Sequence, residues 1–330
     1  MADRGNGIPV VVMGLGDIGR AIARAVLAGP DLRLVAAVDR APALHGQKLE
    51  ELLGVPCPGI PVYAEPSKAF AAARGGVVLQ ATTSSFQDVL PQIEQALGAG
   101  LSVVSTCEEL AFPWLRFKEE ADGLDRLCLK KDLGVIGVGV NPGFALDRLP
   151  AFLSQVAGPV RHIRGVRVVD AARRRPALQR KVGASLSEEV FDAAVDRGDL
   201  GHIGLAESAA LAALGCGMEL DEVEEEIEPI LAERDHDSAV PVKKGQVAGM
   251  RQVATGFVDG KEVVRLDVTI AVGAADPRDE VELDADPPVK VQIPGGLAGD
   301  QATAWLVVNA AGAIGELRGL VTVLDLPSGR

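Results

Sequence analysis

Residues 8–19 read IPVVVMGLGDIG, an apolar run that leads directly into glycines at positions 14, 16 and 19. The run lacks polar alternation, which is typical of a parallel strand buried on both faces. Residues 18–29 then have apolar side chains at helical spacing and end in glycine. A second apolar run, Leu32–Val38, ends at Asp39. Residues 8–39 therefore predict a strand–helix–strand unit.

The glycine pattern GLGDIG lies between that strand and that helix, which is the context of a phosphate-binding loop. The first glycine permits the tight turn, the second admits the pyrophosphate, and the third lets the helix approach the strand. The helix N-terminus adds amide donors. A glycine turn without a ligand is the alternative, and the context favours a dinucleotide. The residues predicted to contact it are Gly14, Leu15, Gly16, Asp17, Ile18 and Gly19.

Asp39 follows the second strand at the position where a carboxylate accepts hydrogen bonds from the ribose of NAD. Arg40 comes next and could meet the 2′-phosphate of NADP, or it could be a solvated side chain. The sequence therefore leaves the cofactor open, as NADP or NAD.

Strand-like and helix-like stretches alternate through the rest of the N-terminal part, which predicts a parallel, doubly wound sheet. The strands are expected at residues 76–81, 101–106 and 135–140, and the helices at 86–99 and 113–131. We therefore predict an α/β protein with a Rossmann domain over residues 1–143.

After residue 143 the pattern predicts an α+β domain with an open sheet over residues 144–298, for substrate binding and dimerisation. Its strands are expected at 161–170, 250–257, 262–272 and 288–293, with a helix at 144–157. The span 185–235, which includes the acidic run Glu219–Glu228, is expected to be mostly helical. A final helix at 300–316 belongs to a segment, 299–330, that returns to the Rossmann domain. Because an exposed sheet is a liability for a monomer, a homodimer is expected.

Composition and charge exclude several classes of function. The chain has 330 residues, enough for two domains, and its formal net charge of −13 argues against a nucleic-acid partner. The four cysteines show no CxxC pairing and the four histidines form no cluster. Reduced thiols, a cytoplasmic location and no metal site are therefore expected. We find no signal-peptide pattern and no apolar run near the ~20 residues that span a bilayer, so no membrane association is expected.

Polar residues follow two of the expected strands, at the sheet edge where ligands bind in open α/β folds. Ala81, Thr82 and Thr83 could line the nicotinamide ribose, or the segment could supply the N-cap of the next helix. Glu108 and Glu109 could hold an ammonium group or activate water, or they could interact with a helix dipole.

Three further segments carry residues that could have a chemical role. Cys107 could be a nucleophile, but an inert buried thiol is favoured because no histidine is linked to it in the sequence. The turn Asn141-Pro142-Gly143 ends the last strand of the first domain, and its polar groups would face the cleft. The basic stretch Arg161–Lys181 is interpreted as a solvated face or subunit contact rather than an anion site.

Five segments together resemble a known family. They read STCEELAFPW (105–114), VNPGFALDRLP (140–150), GHIGLAES (201–208), AGMRQVA (248–254) and IPGGLAGDQATAWLVVNA (293–310). The resemblance is to the native amine dehydrogenases, which are related to 2,4-diaminopentanoate dehydrogenase and have a dihydrodipicolinate-reductase-like architecture. It covers nearly the whole chain. The chain departs from the true dihydrodipicolinate reductases because it lacks their His-His-Arg-x-Lys signature.

The resemblance implies NAD(P)H-dependent reductive amination of a carbonyl compound with ammonia, and the reverse oxidative deamination. It implies that Glu108 is the catalytic carboxylate, which orients ammonia or the iminium nitrogen. It also implies that Asn141, Pro142 and Gly143 contact the nicotinamide end of the cofactor. The residues implied around the substrate are Phe144, Leu178, His202, Ile203 and Thr303.

Three hypotheses of function follow. The first is an amine dehydrogenase acting on small aliphatic or cyclic ketones and aldehydes, whose products carry no carboxylate. The second is a 2,4-diaminopentanoate-type dehydrogenase, whose substrate carboxylate would use Arg173 or Arg180. The third is a non-catalytic dinucleotide-sensing protein. The pair Glu108-Glu109 argues against the third, because a sensor needs no carboxylate beside the nicotinamide.

Overall fold

The computed structural model describes residues 7–57 and 59–329, so residues 1–6, 58 and 330 of the predicted domains lie outside the described residues. The chain divides into two compact units. The first comprises Met1–Phe144 together with Ala298–Arg330, and the second comprises Ala145–Leu297. These bounds lie one residue from the predicted junctions, and they assign Phe144 to the first unit.

In the described part of the first unit, a seven-stranded sheet has the strand order β13-β6-β5-β4-β1-β2-β3, and all neighbouring strands are parallel. The order reverses between β1 and β4, which is the switch point at which doubly wound sheets bind ligands. This confirms the predicted α/β fold class with a Rossmann-type sheet. The strands are β1 (Ile8–Met13), β2 (Leu32–Val38), β3 (Val62–Tyr63), β4 (Val77–Gln80), β5 (Ser102–Ser105), β6 (Gly134–Gly137) and β13 (Gly319–Val321). The helices are α1 (Asp17–Ala28), α2 (Leu49–Leu53), α3 (Pro66–Ala72), α4 (Phe86–Gly98), α5 (Lys118–Lys131) and α10 (Gly299–Ala313).

Burial explains why the first apolar run becomes the centre of this sheet. Residues 10–12 of β1 are 0% exposed, as expected when helices cover both faces of a parallel sheet. Helix α1 buries Ile22 and Val26, and α10 packs against α1. Phe70 of α3 and Phe86 of α4 belong to a core cluster that also contains alternate residues of β1.

Among the residues that the structure describes, the second unit has a six-stranded mixed sheet in the order β12-β11-β7-β10-β9-β8. Strands β7 and β10 are parallel and the other pairs are antiparallel. This confirms the predicted α+β second domain. The strands are β7 (His162–Asp170), β8 (Glu222–Leu231), β9 (Val247–Val258), β10 (Lys261–Ala271), β11 (Arg278–Asp284) and β12 (Val289–Pro294). The helices are α6 (Arg148–Leu153), α7 (Pro176–Lys181), α8 (Glu188–Asp196) and α9 (Leu205–Gly215).

The two faces of this second sheet differ in chemistry. Along β10, Val264, Leu266 and Val268 are 0% exposed, and helix α9 packs against β8, β9 and β10. The alternate positions of the sheet define an outer face, and many of them carry charged side chains. Its ion pairs include Arg251–Asp267 at 2.6 Å, Arg164–Glu280 at 3.3 Å and Lys290–Glu280 at 3.0 Å.

The prediction of a mostly helical span over 185–235 is wrong for the acidic run. Glu222–Leu231 is strand β8, which forms one edge of the sheet and pairs antiparallel with β9. Glutamate favours helices when residues are considered one by one. Here Val223 and Ile227 are half-buried between exposed glutamates. Pairing with β9 decides the conformation, and an edge strand tolerates charges that oppose further pairing.

Several predicted element bounds also differ from the structure. The helix expected at 113–131 divides into a 3₁₀ turn, Pro113–Leu115, and helix α5. The strand expected at 135–140 ends at Gly137. The helix expected at 144–157 begins only at Arg148, because residues 141–147 form turns. Strands β3, β11 and β13 were not predicted. Two of them are only two or three residues long, and β11 is rich in charge.

Candidate functional site

The three glycines of the loop after β1 have different geometrical reasons to be glycine. Gly14 has a φ of +93°, and a Cβ on it would lie 2.4 Å from the Ala81 carbonyl oxygen. A Cβ on Gly19 would lie 1.7 Å from the carbonyl oxygen of Gly14. Gly16 has no atom within 4 Å in the direction of a Cβ, and it is the N-cap of α1. Backbone atoms therefore leave no room for a side chain at Gly14 or Gly19, whereas the space beside Gly16 is open.

Asp39 ties the end of β2 to this loop. Its carboxylate accepts the Leu15 amide at 2.7 Å and the Ala41 amide at 2.8 Å. The two bonds fix the carboxylate in position, and its remaining lone pairs can accept ribose hydroxyls. Arg40, in contrast, is exposed. The other predicted loop residues, Asp17 and Ile18, form the start of α1.

The loop after β5 is bound to the segment that begins α4. Glu109 Oε2 accepts the Phe86 amide at 2.6 Å and so satisfies an amide at the N-terminus of α4. The Cys107 thiol donates to the Ser84 carbonyl at 3.0 Å. Glu109 therefore has the helix-terminus role that the sequence left open for both glutamates. Glu108 is half-buried and begins the 3₁₀ turn that follows.

The Cys107 thiol is chemically inert at neutral pH. The side chain is 1% exposed, and burial raises the pKa of the thiol to about 12, with a smaller increase from the carboxylates of Glu108 and Glu109. Because the pKa is raised, the thiol stays protonated well above pH 7. Since only the thiolate is nucleophilic, Cys107 is not assigned a nucleophilic role. Its hydrogen bond to Ser84 instead links two loops.

The threonines after β4 also make hydrogen bonds that hold this edge of the sheet to α4 and its N-cap. The Thr82 hydroxyl donates to Gln92 Oε1 at 3.0 Å, and the Gln80 amide donates to the same oxygen at 2.9 Å. Thr83 Oγ1 accepts the Ser85 amide at 3.4 Å, and Ser85 is the N-cap of α4. The segment therefore supplies the predicted cap, and Thr82 remains exposed at the same sheet edge.

The turn at 141–143 is compact and is held by helix α10. A Cβ on Gly143, whose φ is +125°, would lie 2.5 Å from the Gly139 nitrogen. The Val140 amide donates to Thr303 Oγ1 at 3.3 Å, although the two residues are 163 positions apart. Thr303, implied as a substrate residue by the resemblance, therefore has a contact that fixes the start of this turn.

The predicted substrate residues Leu178, His202 and Ile203 belong to the second unit. Leu178 lies in α7, and His202 and Ile203 precede α9. Gln252 of β9 binds the backbone of His202, accepting its amide at 2.7 Å and donating to its carbonyl at 3.2 Å. Gln252 lies in the segment AGMRQVA, but the sequence assigned it no role. The two residues are 50 positions apart, and nothing in the sequence pattern links them.

Two residues of the motifs that carry the resemblance join helices within the second unit. Asp147 is 0% exposed and accepts the Arg148 amide at 2.6 Å at the start of α6. The Ser208 hydroxyl of α9 donates to its other oxygen at 2.8 Å. These motif residues therefore have a packing role.

Two kinds of feature do not occur in residues 7–57 and 59–329. No group of three or more His, Cys, Asp or Glu side chains there could hold a metal ion. No helix there is long and apolar enough to cross a membrane.

The first unit, with its parallel sheet and glycine loop, places the chain in the class of Rossmann-type proteins with a mixed-sheet second unit. Residues 8–107 match the N-terminus of dihydrodipicolinate reductase, and residues 144–330 match the C-terminal domain of 2,4-diaminopentanoate dehydrogenase. The chain belongs to the family defined by that C-terminal domain. This confirms the resemblance drawn from the sequence motifs.

The chain is also similar to one relative in sequence and to two solved structures in fold. The 2,4-diaminopentanoate dehydrogenase of Acetoanaerobium sticklandii is 27% identical, over 97% of this chain and 93% of its own length. The structure of an amine dehydrogenase from Mycobacterium smegmatis covers 99% of this chain and 98% of its own, with a TM-score of 0.86 and 20% identity. Scyllo-inositol dehydrogenase from Lactobacillus casei, solved with NAD(H) and scyllo-inositol, has a TM-score of 0.55 and 18% identity over 93% of this chain and 88% of its own. The two structures share the fold with this chain.

We expect Glu109→Ala to lower the free energy of unfolding by about 1–2 kcal/mol, because the Phe86 amide at the start of α4 loses its acceptor. Urea denaturation followed by circular dichroism measures the change. Glu109→Gln keeps an oxygen acceptor and is the matched control, for which a smaller loss is expected. Equal losses in the two variants would contradict the assigned contact.

Proposed function

We propose that this protein is an NAD(P)H-dependent amine dehydrogenase. Its reaction is the reductive amination of small aliphatic or cyclic ketones and aldehydes with ammonia, and the reverse oxidative deamination. The observation that carries the proposal is the position of Glu108. It is a half-buried carboxylate at the carboxyl edge of a Rossmann-type sheet, one strand beyond β4 and two beyond the glycine loop. Membership of the 2,4-diaminopentanoate dehydrogenase family supports the assignment.

The glycine loop fits a dinucleotide. The direction of the Gly16 Cβ is open, in front of the N-terminus of α1, so the backbone amides there can approach a pyrophosphate. Gly14 and Gly19 hold the loop tightly against the strand ends. Thr82, which is exposed after β4, and the turn at 141–143 after β6 are proposed to contact the nicotinamide end.

Glu108 provides the acid–base and electrostatic chemistry in this proposal. The carbonyl compound and ammonia condense to an iminium ion with loss of water, and NAD(P)H when bound supplies the hydride that reduces it. Glu108 accepts a proton from ammonium, which releases ammonia as the neutral nucleophile, and then gives the proton to the carbinolamine hydroxyl, which leaves as water. Its carboxylate then stabilises the cationic iminium nitrogen, because opposite charges attract strongly in a half-buried position. Glu109 is bound to the α4 terminus and is assigned no part in this step.

The residues proposed to contact the substrate, which the resemblance implies, are mostly apolar. This composition suits a small ketone, whose amine product carries no carboxylate. The residues are Phe144, Leu178, His202, Ile203 and Thr303.

An ammonia-dependence assay tests the proposal. The purified full-length protein is mixed with NADH or NADPH, excess ammonium and a panel of ketones, aldehydes and 2-amino-4-oxopentanoate, and absorbance at the nicotinamide band is followed. We expect cofactor oxidation that needs both ammonium and a carbonyl compound. Glu108→Gln is expected to lower kcat about 100-fold or more, because proton transfer and charge stabilisation are both lost. Glu109→Gln is the matched control and should retain most activity. Cofactor oxidation without ammonium, or none at all, would contradict the proposed function.

A 2,4-diaminopentanoate-type dehydrogenase is the second candidate, favoured by the loop that follows β7. Buried Gln179 donates to the carbonyls of Ala171 at 2.8 Å and Arg174 at 3.0 Å. This amide gives the loop carrying Arg173, Arg174 and Arg175 a fixed backbone. Arginine binds carboxylates well, so such a loop suits an amino-acid substrate. In the same assay, this candidate predicts a strong preference for 2-amino-4-oxopentanoate over 2-pentanone. Loss of that preference in Arg173→Ala or Arg180→Ala would favour it.

We propose that Asp39 gives the protein a preference for NAD over NADP. Its carboxylate is held by two backbone amides at the end of β2, where it would accept ribose hydroxyls and repel a 2′-phosphate. Asp39→Ala also removes the contact with Leu15, so both cofactors should bind less well. The ratio of KM for NADH to KM for NADPH isolates the effect on the ribose, and we expect it to rise about tenfold, since one charge-assisted hydrogen bond is lost. An unchanged ratio would contradict this role.

Arg40→Ala is the companion variant, and a selective loss of NADPH use would show that Arg40 meets the 2′-phosphate.

We also propose a cytoplasmic homodimer that uses the outer face of the second sheet. Free thiols at all four cysteines agree with a reducing compartment. The edge strand β8 exposes several glutamates, which oppose edge-to-edge pairing, so the face remains as the contact surface. Light scattering after size exclusion should give twice the chain mass. Thr269→Trp, at the centre of the outer face, should shift it towards the monomer. A monomeric wild type contradicts the dimer, and a dimer unaffected by Thr269→Trp contradicts this surface.

A further inference from the structure

The segment Gly201–Gly204, which precedes α9, adopts a shape that depends on distant contacts. Gly201 and Gly204 have φ values of +135° and +97°, in the region that favours glycine. A Cβ on Gly201 would lie 3.0 Å from Ile227 Cδ1 of β8. His202 lies between these two glycines, so its backbone has little local restraint from regular secondary structure.

Gln252 supplies a restraint through its side-chain amide. The amide oxygen accepts the His202 N–H at 2.7 Å, and the amide nitrogen donates to the His202 carbonyl at 3.2 Å. The same nitrogen donates to Glu225 Oε1 at 2.9 Å. Gln252 is 3% exposed, so these bonds are largely shielded from water.

Glu225 determines which way the Gln252 amide faces. A carboxylate only accepts hydrogen bonds, so the NH₂ group of Gln252 must face it. The amide oxygen then faces the His202 N–H, as the backbone geometry requires. The acidic edge strand β8 thus contributes one glutamate that fixes the orientation of a buried amide on β9.

We infer that Gln252 is a positioning residue that sets the place of His202 and, through it, the selectivity of the enzyme among carbonyl substrates. The inference rests on the proposed function, in which His202 contacts the substrate. Gln252 itself acts through the His202 backbone and touches no reacting atom. Because the amide binds both the N–H and the C=O of one residue, it fixes the direction in which the imidazole leaves the chain.

The test uses Gln252→Met, which has a similar length and removes all three hydrogen bonds. Gln246→Met is the matched control. Gln246 makes the same kind of contact in the same unit, donating to the Ser185 carbonyl at 3.0 Å and accepting the Lys243 amide at 2.8 Å. Gln252→Glu is a second variant of unchanged size, which keeps an acceptor for the His202 N–H but loses both donated bonds.

Amide hydrogen exchange is the readout that does not depend on activity. We expect exchange at His202 to be about tenfold faster in Gln252→Met, since one hydrogen bond of about 1–1.5 kcal/mol corresponds to roughly that factor. Gln246→Met should leave His202 unchanged. Gln252→Glu, which places a second carboxylate against Glu225, should raise the exchange at His202 at least as much as Gln252→Met. Unchanged exchange at His202 in Gln252→Met would overturn the inference whether or not the protein is an amine dehydrogenase.

Kinetics then test the link to selectivity. In Gln252→Met we expect KM for the best carbonyl substrate to rise about tenfold, with KM for the cofactor unchanged and an altered ratio of kcat/KM between small and bulky carbonyls. His202→Ala should alter the same ratio, and Gln246→Met should not. An unaltered ratio in Gln252→Met, in an active enzyme whose His202 exchange is faster, would overturn the selectivity role alone. Absence of ammonia-dependent activity in the wild type would instead contradict the proposed function, and the exchange result would remain interpretable.

Discussion

The contact between Gly14 and Gly19 constrains how α1 follows β1 at the centre of the first unit. The carbonyl oxygen of Gly14 occupies the place where a side chain at position 19 would begin, so α1 can start only with glycine there. This close approach directs the helix N-terminus over the end of β1. The Leu15 amide, within the same loop, is bound by Asp39 at the end of β2. The turn therefore sets both the open end at Gly16, where the pyrophosphate is proposed to bind, and the position of the carboxylate beside it.

Several polar residues at the sheet edge hold its loops in place. Glu109, Cys107 and Ser85 hold the loops after β4 and β5 to the start of α4. Thr303 holds the turn after β6 from helix α10. Such contacts are what a catalytic site needs, because reacting groups must be held to within a fraction of an ångström by their surroundings. They give Glu109 a contact with the start of α4, whereas the proposed reaction assigns the proton transfer to its neighbour Glu108.

In the second unit, glutamine side chains bind the backbones of loops, and two of the three glutamines are buried. Gln179, Gln246 and Gln252 each accept one backbone amide and donate to at least one backbone carbonyl. Each satisfies polar groups that would otherwise be costly to bury in an irregular segment. Loops fixed in this way can carry side chains such as His202 in one conformation, although they belong to no helix or strand.

The sequence by itself determined the Rossmann-type sheet, the glycine loop and the family, because these depend on local periodicity and on motifs within short segments. Residues 8–39 contain two strands, a turn and a helix that contact one another, so the local pattern is enough to predict them. The tertiary structure alone decided that Glu222–Leu231 is an edge strand, since its conformation depends on pairing with β9. It also decided the roles of Glu109, Thr303 and Gln252, whose partners lie 23, 163 and 50 positions away. Hydrogen bonds between such distant residues depend on how the elements pack, and no local pattern records them.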